Sequence, residues 1–382
     1  MDTIQFIVEG SMEETFERRL GDLCRVKYRL PAIGGYVVEA PADVLPHVER
    51  MEGVARIHDV ARITAQMDIA RQAVRAHGTG TPLTGRGVTI AVLDTGVAPV
   101  DDLTAPRNRL IGFADFVNGR TKAYDDNAHG THVAGIAAGN GARSRGRYAG
   151  IAPEANLVAV KILDEKGKGS AADVLAGIQW VIDNRERYGI RIANLSIGTA
   201  DAGSADPLVK AVEAAWNAGI VVLIAAGNNG PAAGTITSPG ISRKVITVGA
   251  SDDNKTVTIW GDSVVHFSGR GPTAECIVKP DIIAPGAEIT SCFTNTPIAE
   301  SRRSELRIVN ASYVEMSGTS MSTPVVAGAV ALLLEKHPGL TPNDVKLLLK
   351  QSAISLNYTP NQQGWGLLDI DTLLKKEGPK HA

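Results

Sequence analysis

The 382-residue chain contains little cysteine, few aromatic residues and no excess of either charge. Its three cysteines allow at most one disulfide, which excludes a disulfide-stapled scaffold and fits a reducing compartment. The net charge is −2 and no long run is basic, so the sequence predicts neither a nucleic-acid nor a membrane partner. No apolar run reaches the ~20 residues of a membrane helix. The opening MDTIQFIVEG lacks the features of a secretory signal, which predicts a cytoplasmic protein.

The remaining composition is that of a globular protein. Apolar residues make up 44% and charged residues 21%, which excludes a disordered chain. Residues 1–63 alternate short segments in the order β-α-β-β-α-β, the ferredoxin-like α+β arrangement. These segments are Ile4–Val8, Met12–Leu20, Arg25–Leu30, Tyr36–Ala40, Val44–Met51 and Ala55–His58. Residues 64–87 are predicted to form a connector and residues 375–382 a polar, frayed tail.

Residues 88–374 have a different pattern, in which short apolar runs alternate with longer amphipathic segments. The runs cover residues 88–93, 157–162, 190–196, 220–226 and 245–249, and β-branched residues are frequent in them. Such runs are typical of strands buried on both faces of a parallel sheet. Segments with helical spacing, Ala171–Arg187 and Pro207–Ala218, lie between them. The pattern predicts an α/β domain, a three-layer αβα sandwich around a mainly parallel sheet.

Three of these runs end in polar residues, at Asp94, Ser196 and Asn228. The carboxyl ends of parallel strands share one edge of a sheet, and ligands bind there. Asp94 by itself has two interpretations, a turn-forming cap or a catalytic carboxylate. Its DTG sequence is also that of aspartic proteases, but those need two such loops and this chain has one.

Two further residues carry candidate chemistry. His129 begins an apolar helical stretch, and three residues later His132 follows without the glutamate of a zincin motif. A histidine beside a buried carboxylate is suited to act as a general base. Ser320 precedes a strongly apolar helix, so it is either an N-cap or a nucleophile whose negative charge the helix end would stabilise.

The chain order Asp94, His129, Ser320 is that of subtilisin. The segments VLDTGV, NAHGTHVAG, AAGNNG and GTSMSTPVVAG resemble the four signatures of the subtilase family of serine peptidases. The resemblance extends over residues 81–374 and is closest to the bacterial intracellular branch called AprX-type. It implies a subtilisin-like fold and a serine endopeptidase that acts on proteins or peptides. The alternative is a catalytically silent protein that binds peptides, a pseudo-peptidase.

The resemblance also assigns roles to individual residues. Ser320 matches the nucleophile, His129 the general base, Asp94 the carboxylate that orients the base, and Asn228 the side-chain oxyanion donor. His132 matches a motif residue of structural role. The matching substrate-binding positions are Lys168, Gly169, Ser170, Ser196, Ile197, Gly198, Ala226 and Gly227. The resemblance implies that the primary pocket is walled by residues 196–198 and 225–227. Thr237 and Asn229 fall where relatives often have Gly and an acidic residue, which predicts medium-sized uncharged side chains at P1.

Two further expectations follow from the resemblance. The chemistry requires no cofactor, but Asp281 matches a weak calcium site of the family, with a turn-forming Asp as the alternative. The basic segment 139–150 does not match the family's tight calcium site, and Asp125 and Asp126 are interpreted as a solvated acidic pair.

Residues 11–60 resemble an inhibitor-type propeptide, so the N-terminal domain is predicted to inhibit its own chain until a cut near residues 62–65. The alternative is a permanently attached accessory domain.

Overall fold

The computed structural model describes residues 3–30, 34–59, 73–75, 83–199, 206–256 and 261–378. The chain divides into two compact units, Met1–Thr64 and Ala65–Ala382. Within the described residues, no helix has the length and apolar character to cross a membrane. The predicted cut near residues 62–65, and parts of the predicted connector and tail, lie outside the described residues.

The first unit is a small antiparallel sheet with two helices. Its strands and helices alternate as β1 (Thr3–Gly10), α1 (Glu14–Leu23), β2 (Arg25–Leu30), β3 (Gly35–Pro41), α2 (Leu45–Glu49) and β4 (Val54–Asp59). The sheet order is β2-β3-β1-β4, with every neighbouring pair antiparallel. Phe16 and Leu20 of α1 are buried against Phe6 and Val38 of the sheet, so this unit has a core of its own.

The second unit is built on a mostly parallel sheet whose strands are buried. In chain order the strands are β5 (Thr89–Asp94), β6 (Leu110–Asp115), β7 (Asn156–Lys161), β8 (Ile190–Leu195), β9 (Val221–Ala225), β10 (Ile246–Asp252), β11 (Ser263–Val264) and β12 (Ile282–Pro285). Their order is β11-β10-β9-β8-β5-β7-β6, and β12 also pairs with β10. Within these described strands only the β10–β11 pair is antiparallel.

Helices cover this sheet in two groups. One group contains His129–Ala138 and the 18-residue helix Thr319–Lys336, which pack against each other. The other contains Ala171–Asp183 and Pro207–Asn217. Short helices lie at Asp101–Thr104, Arg185–Tyr188, Glu300–Ser304 and Pro360–Gln363, and longer ones at Pro342–Ser352 and Ile370–Lys375. The predicted three-layer αβα architecture is confirmed.

A second, smaller sheet lies beside the helix that begins at His129. Its strands are β13 (Ile289–Cys292), β14 (Arg307–Asn310) and β15 (Tyr313–Met316), in the antiparallel order β13-β15-β14. The backbone carbonyls of Ile289 and Val314 lie 2.9 and 3.2 Å from the ring Nε2 of the buried His132. Burial lowers the pKa of His132 to about 3, so this ring is a neutral donor that fastens the small sheet to the helix.

Candidate active site

The first pair of site residues joins the end of β5 to the start of a helix. The Nδ1 atom of His129 lies 2.7 Å from Oδ1 of Asp94, whose side chain is fully buried, while the His129 side chain is 20% exposed. Gly130 permits this approach, because a Cβ on it would lie 2.0 Å from the carbonyl oxygen of Gly96 and 3.1 Å from Cβ of Asp94. Burial lowers the pKa of His129, but the carboxylates of Asp94 and Asp125 raise it, and the resulting pKa lies above its usual value.

Asp125 organises the loop that leads into His129. Its fully buried carboxylate accepts hydrogen bonds from the side chain of Thr95, from the backbone N–H groups of Asn127 and Ala128, and from both N–H and hydroxyl of Thr131. The prediction of a solvated pair is therefore wrong for Asp125. Burial raises the pKa of this carboxyl, against the opposing effect of its hydrogen bonds. Asp125 thus joins the loop after Asp94 to the helix that carries His129.

Lys161 is a buried cation beneath the same loops. It is 0% exposed, and its ammonium group donates to the carbonyl of Thr95 at 2.7 Å, to Oδ1 of Asp126 at 2.7 Å and to the carbonyl of Leu163 at 2.8 Å. Asp126 is therefore an ion-pair partner, and the predicted solvated pair is wrong for it as well. Lys161 was not identified from the sequence, although it lies inside the apolar run 157–162 and a buried lysine needs a partner of opposite charge.

Ser320 is the second residue of the helix Thr319–Lys336, and Pro324 lies one turn further on. Proline has no N–H, so the carbonyl of Ser320 lacks its helical donor. The hydroxyl of Ser196 supplies one instead at 3.1 Å, and the Ser320 hydroxyl donates to the Ser196 carbonyl at 3.3 Å. Ser196, at the end of β8, thereby holds Ser320 at both its backbone and its side chain.

Asn228 is fixed against the start of the helix Thr319–Lys336 through its amide oxygen. Its Oδ1 accepts hydrogen bonds from the N–H of Thr319 at 3.0 Å and from the Thr319 hydroxyl at 3.1 Å. Both atoms are donors, which assigns the acceptor position to the oxygen and leaves Nδ2 free to donate. A cavity of about 510 Å³ is lined by Asn228, His129 and Ser320 together. The structure thus brings the four predicted catalytic and oxyanion residues to one place.

Two of the predicted substrate-binding segments, Lys168–Ser170 and Ser196–Gly198, lie at a second cavity, of about 570 Å³, which also reaches His129. Ala226 and Gly227 do not line this cavity. Lys168, Gly169, Ser196, Ile197 and Gly198 line it directly. Ser170 instead caps the helix Ala171–Asp183, its hydroxyl accepting from the N–H of Asp173 at 3.1 Å.

The Thr237 side chain fills the space between two of the predicted pocket walls. A Cβ on Gly198 would lie 2.2 Å from Thr237 Oγ1, and one on Gly227 would lie 2.6 Å from Thr237 Cγ2. The N–H of Thr237 bonds the carbonyl of Ala226 at 3.1 Å, which fixes the threonine against this wall. Asn229 and Thr237 both line a further cavity, of about 530 Å³.

Asp281 does not offer free oxygens to a metal ion. Oδ2 lies 2.5 Å from the ammonium group of buried Lys279 and accepts from the N–H of Thr247 at 2.8 Å, while Oδ1 lies 3.4 Å from that of Lys346. Lys346 also donates to the carbonyls of residues 243, 244 and 245 at 2.8, 3.1 and 3.0 Å. Because ammonium groups already meet these oxygens, the residues present do not fit calcium. Among the described residues, no group of three or more His, Cys, Asp or Glu side chains could hold a metal ion.

Comparisons with known proteins find relatives over most of this chain. Residues 85–366 match the subtilase family. The chain is 46% identical over 330 residues to serine protease AprX of Bacillus subtilis, covering 83% of this chain and 74% of that protein. It is 36% identical over 301 residues to subtilisin Savinase of Lederbergia lenta, covering 78% and 94%. The crystal structure of a cold-adapted subtilisin-like serine proteinase aligns with a TM-score of 0.60 and 30% identity, over 80% of this chain and 98% of that one.

Proposed function

The chain belongs to the subtilase family and is a subtilisin-like serine endopeptidase, and from that premise we propose that it cuts peptide bonds by acyl transfer through Asp94, His129 and Ser320. The observation that carries the proposal is the 2.7 Å contact between buried Asp94 and His129, a residue that lines one cavity together with Ser320. Buried Asp94 orients the ring and stabilises its charged form, which lets the other ring nitrogen take a proton.

In this mechanism the Ser320 hydroxyl turns from the Ser196 carbonyl to His129 and attacks the peptide carbonyl carbon. His129 takes the hydroxyl proton and then gives it to the leaving amine, and water attacks the acyl-enzyme by the same route in reverse. Nδ2 of Asn228 and the N–H of Ser320 at the helix start donate to the oxyanion. In a subtilisin, loss of the corresponding side-chain donor costs about 2.7–4 kcal/mol of transition-state stabilisation.

The substrates of this mechanism are proteins or peptides, bound as an added strand against Lys168–Ser170 and Ser196–Gly198. Thr237 supports the expectation of medium-sized uncharged P1 side chains, because it occupies the space between the glycines of the two walls. The residues around Asp281 do not fit calcium, and we propose that this site is held by lysine instead. The cytoplasmic location and the absence of nucleic-acid and membrane partners stay predictions.

The first unit is proposed to be an inhibitory prosegment. Its support is the separate core of residues 3–59, together with the resemblance of its sequence to inhibitor-type propeptides. In this proposal the unit covers the substrate cleft until the chain is cut near residues 62–65. A permanently attached accessory domain is the alternative.

The experiment is to measure the intact mass of the purified protein before and after treatment with a fluorophosphonate, with Ser320→Ala alongside. One adduct on the wild type and none on Ser320→Ala would support an activated Ser320. A starting mass lower by about 63 residues would support removal of the prosegment, and Ser320→Ala should then keep its full length. A trimmed, folded wild type that takes no adduct would contradict the mechanism and favour a peptide-binding pseudo-peptidase.

A further inference from the structure

The charges around the proposed active site are distributed unevenly. The 570 Å³ cavity that contains the proposed substrate-binding segments is lined by three cationic side chains, those of Lys166, Lys168 and Arg302. Among the described residues, no Asp or Glu lines it. Cationic side chains at the wall of a cleft raise the local concentration of anionic groups.

A tight turn holds the two lysines in place. The carboxylate of Asp164 accepts hydrogen bonds from the backbone N–H groups of Lys166 at 2.9 Å and Lys168 at 2.8 Å, and the Asp164 N–H donates to the Lys168 carbonyl at 2.7 Å. The carboxylate of Asp164 is therefore hydrogen-bonded to the backbone of the turn. Both lysine side chains are exposed, and within the described part of the chain neither ammonium group makes an ion pair.

The cavity on the other side of His129 and Ser320 has balanced charges. Glu305 pairs with Arg302 at 3.2 Å, Glu288 pairs with Lys255 at 2.6 Å, and Glu315 pairs with Arg307. All three carboxylates line this cavity of about 510 Å³. The unpaired positive charges are thus confined to the cavity of the proposed substrate-binding segments Lys168–Ser170 and Ser196–Gly198, where we place the residues that precede the scissile bond.

We propose that this protease prefers peptides with acidic side chains at the positions just before P1, an inference that rests on the proposed function. Lys166 and Lys168 select these peptides by attraction to Asp or Glu at the cleft wall, whereas the charge of Arg302 is already paired with Glu305. Because exposed ion pairs are weak, we expect kcat/KM to differ about three- to tenfold between acidic and basic peptides. The preference should shrink as salt concentration rises.

The test uses fluorogenic peptides that share one uncharged P1 residue and carry Glu, Gln or Lys at the three preceding positions. For the mature wild-type enzyme we expect kcat/KM to fall in the order Glu, Gln, Lys. The double variant Lys166→Gln/Lys168→Gln should bring the Glu-to-Lys ratio near one, and taking this ratio within each enzyme cancels any general change in rate. The matched control Lys210→Gln/Lys350→Gln removes the same charge from exposed helix positions outside this cavity and should keep the preference.

Equal kcat/KM for the three peptides, or a preference that survives in Lys166→Gln/Lys168→Gln, would overturn the proposal. Failure of the wild type to hydrolyse any peptide, with no fluorophosphonate adduct, would contradict the proposed function itself. The two failures are distinguishable, because the first requires an active enzyme and the second shows an inactive one.

Discussion

At the scale of single residues, the ionisation of His129 is set by opposing neighbours. Burial lowers the pKa of His129, and the carboxylates of Asp94 and Asp125 together raise it, so that the pKa lies above its usual value. Arg302 acts against Asp94, because its positive charge lowers the pKa of His129. Arg302 lies close to the loop, its Nε donating to the carbonyl of Asn127 at 3.4 Å.

The pH dependence of catalysis should report these charges. A general base must be neutral to accept a proton, so kcat/KM should fall as the pH drops through the pKa of His129. We expect this acid limb above the ordinary histidine pKa of about 6.5. Arg302→Gln removes a repelling charge, which favours protonated His129 and should move the limb to higher pH. An unmoved limb, or one moved to lower pH, would contradict this account. Arg303→Gln is the matched control.

At the scale of secondary-structure elements, Lys161 connects three separate segments of the site. It ends β7, and its ammonium group bonds the loop after β5, the loop before His129 and the segment that leads to Lys168. These bonds fix the two catalytic loops and the proposed substrate-binding segment to one side chain. Since the lysine is fully buried, removing it would leave Asp126 and two carbonyls without a partner.

Lys161→Met should therefore lower both stability and catalysis. Breaking a buried ion pair from one side costs about 3–5 kcal/mol of the free energy of unfolding. We expect kcat to fall more than KM rises. The groups that lose their donor are the carbonyl of Thr95, next to Asp94, and the carboxylate of Asp126, in the loop before His129. Denaturant unfolding and steady-state kinetics well below the melting temperature measure the two effects.

A second substitution, at the ion-pair partner Asp126, separates the role of Lys161 in positioning from a general loss of stability. Lys161→Met/Asp126→Asn removes the unpaired carboxylate, so part of the lost stability should return while kcat stays low. If kcat is normal in the single variant, or recovers in step with stability in the double one, Lys161 has no positioning role. Lys350→Met, at an exposed helix position, is the control for loss of a lysine.

The sequence predicted most strands of the large sheet, but it did not predict the small sheet or the buried charges of the site. The buried runs that became β5, β7, β8, β9 and β10 were predicted because a two-sided sheet needs continuous apolar residues. The small sheet of β13, β14 and β15 was missed, since its strands are four residues each and β14 is largely exposed. Lys161 was missed and Asp125 was misread, because each is buried against a segment 30 or more positions away, Lys161 against Asp126 and Asp125 against Thr95, and the sequence pattern does not show such contacts.

At the scale of the whole molecule, Lys346 joins the helix Pro342–Ser352 to the loop before β10. Its ammonium group meets the three carbonyls of residues 243–245 and the carboxylate of Asp281, and the indole rings of Trp216 and Trp365 lie 6.0 and 5.9 Å away. These oxygens are the type that binds calcium. The ammonium group of Lys346 therefore lies among the oxygens of a site that the family resemblance would assign to a metal ion.

This arrangement predicts that stability at the Asp281 site does not depend on calcium. Lys346→Ala, made in the Ser320→Ala background to prevent autolysis, should lower the Tm because the carbonyls and Asp281 lose a donor. Calcium should restore part of that loss. At ten times its Kd, it would add about 1.4 kcal/mol, or about 2 °C in a unit of this size. Thermal unfolding with calcium or with EDTA measures the response, and Lys350→Ala is the matched control. If calcium raises the Tm of the Lys346→Ala protein and its parent equally, Lys346 does not replace a metal.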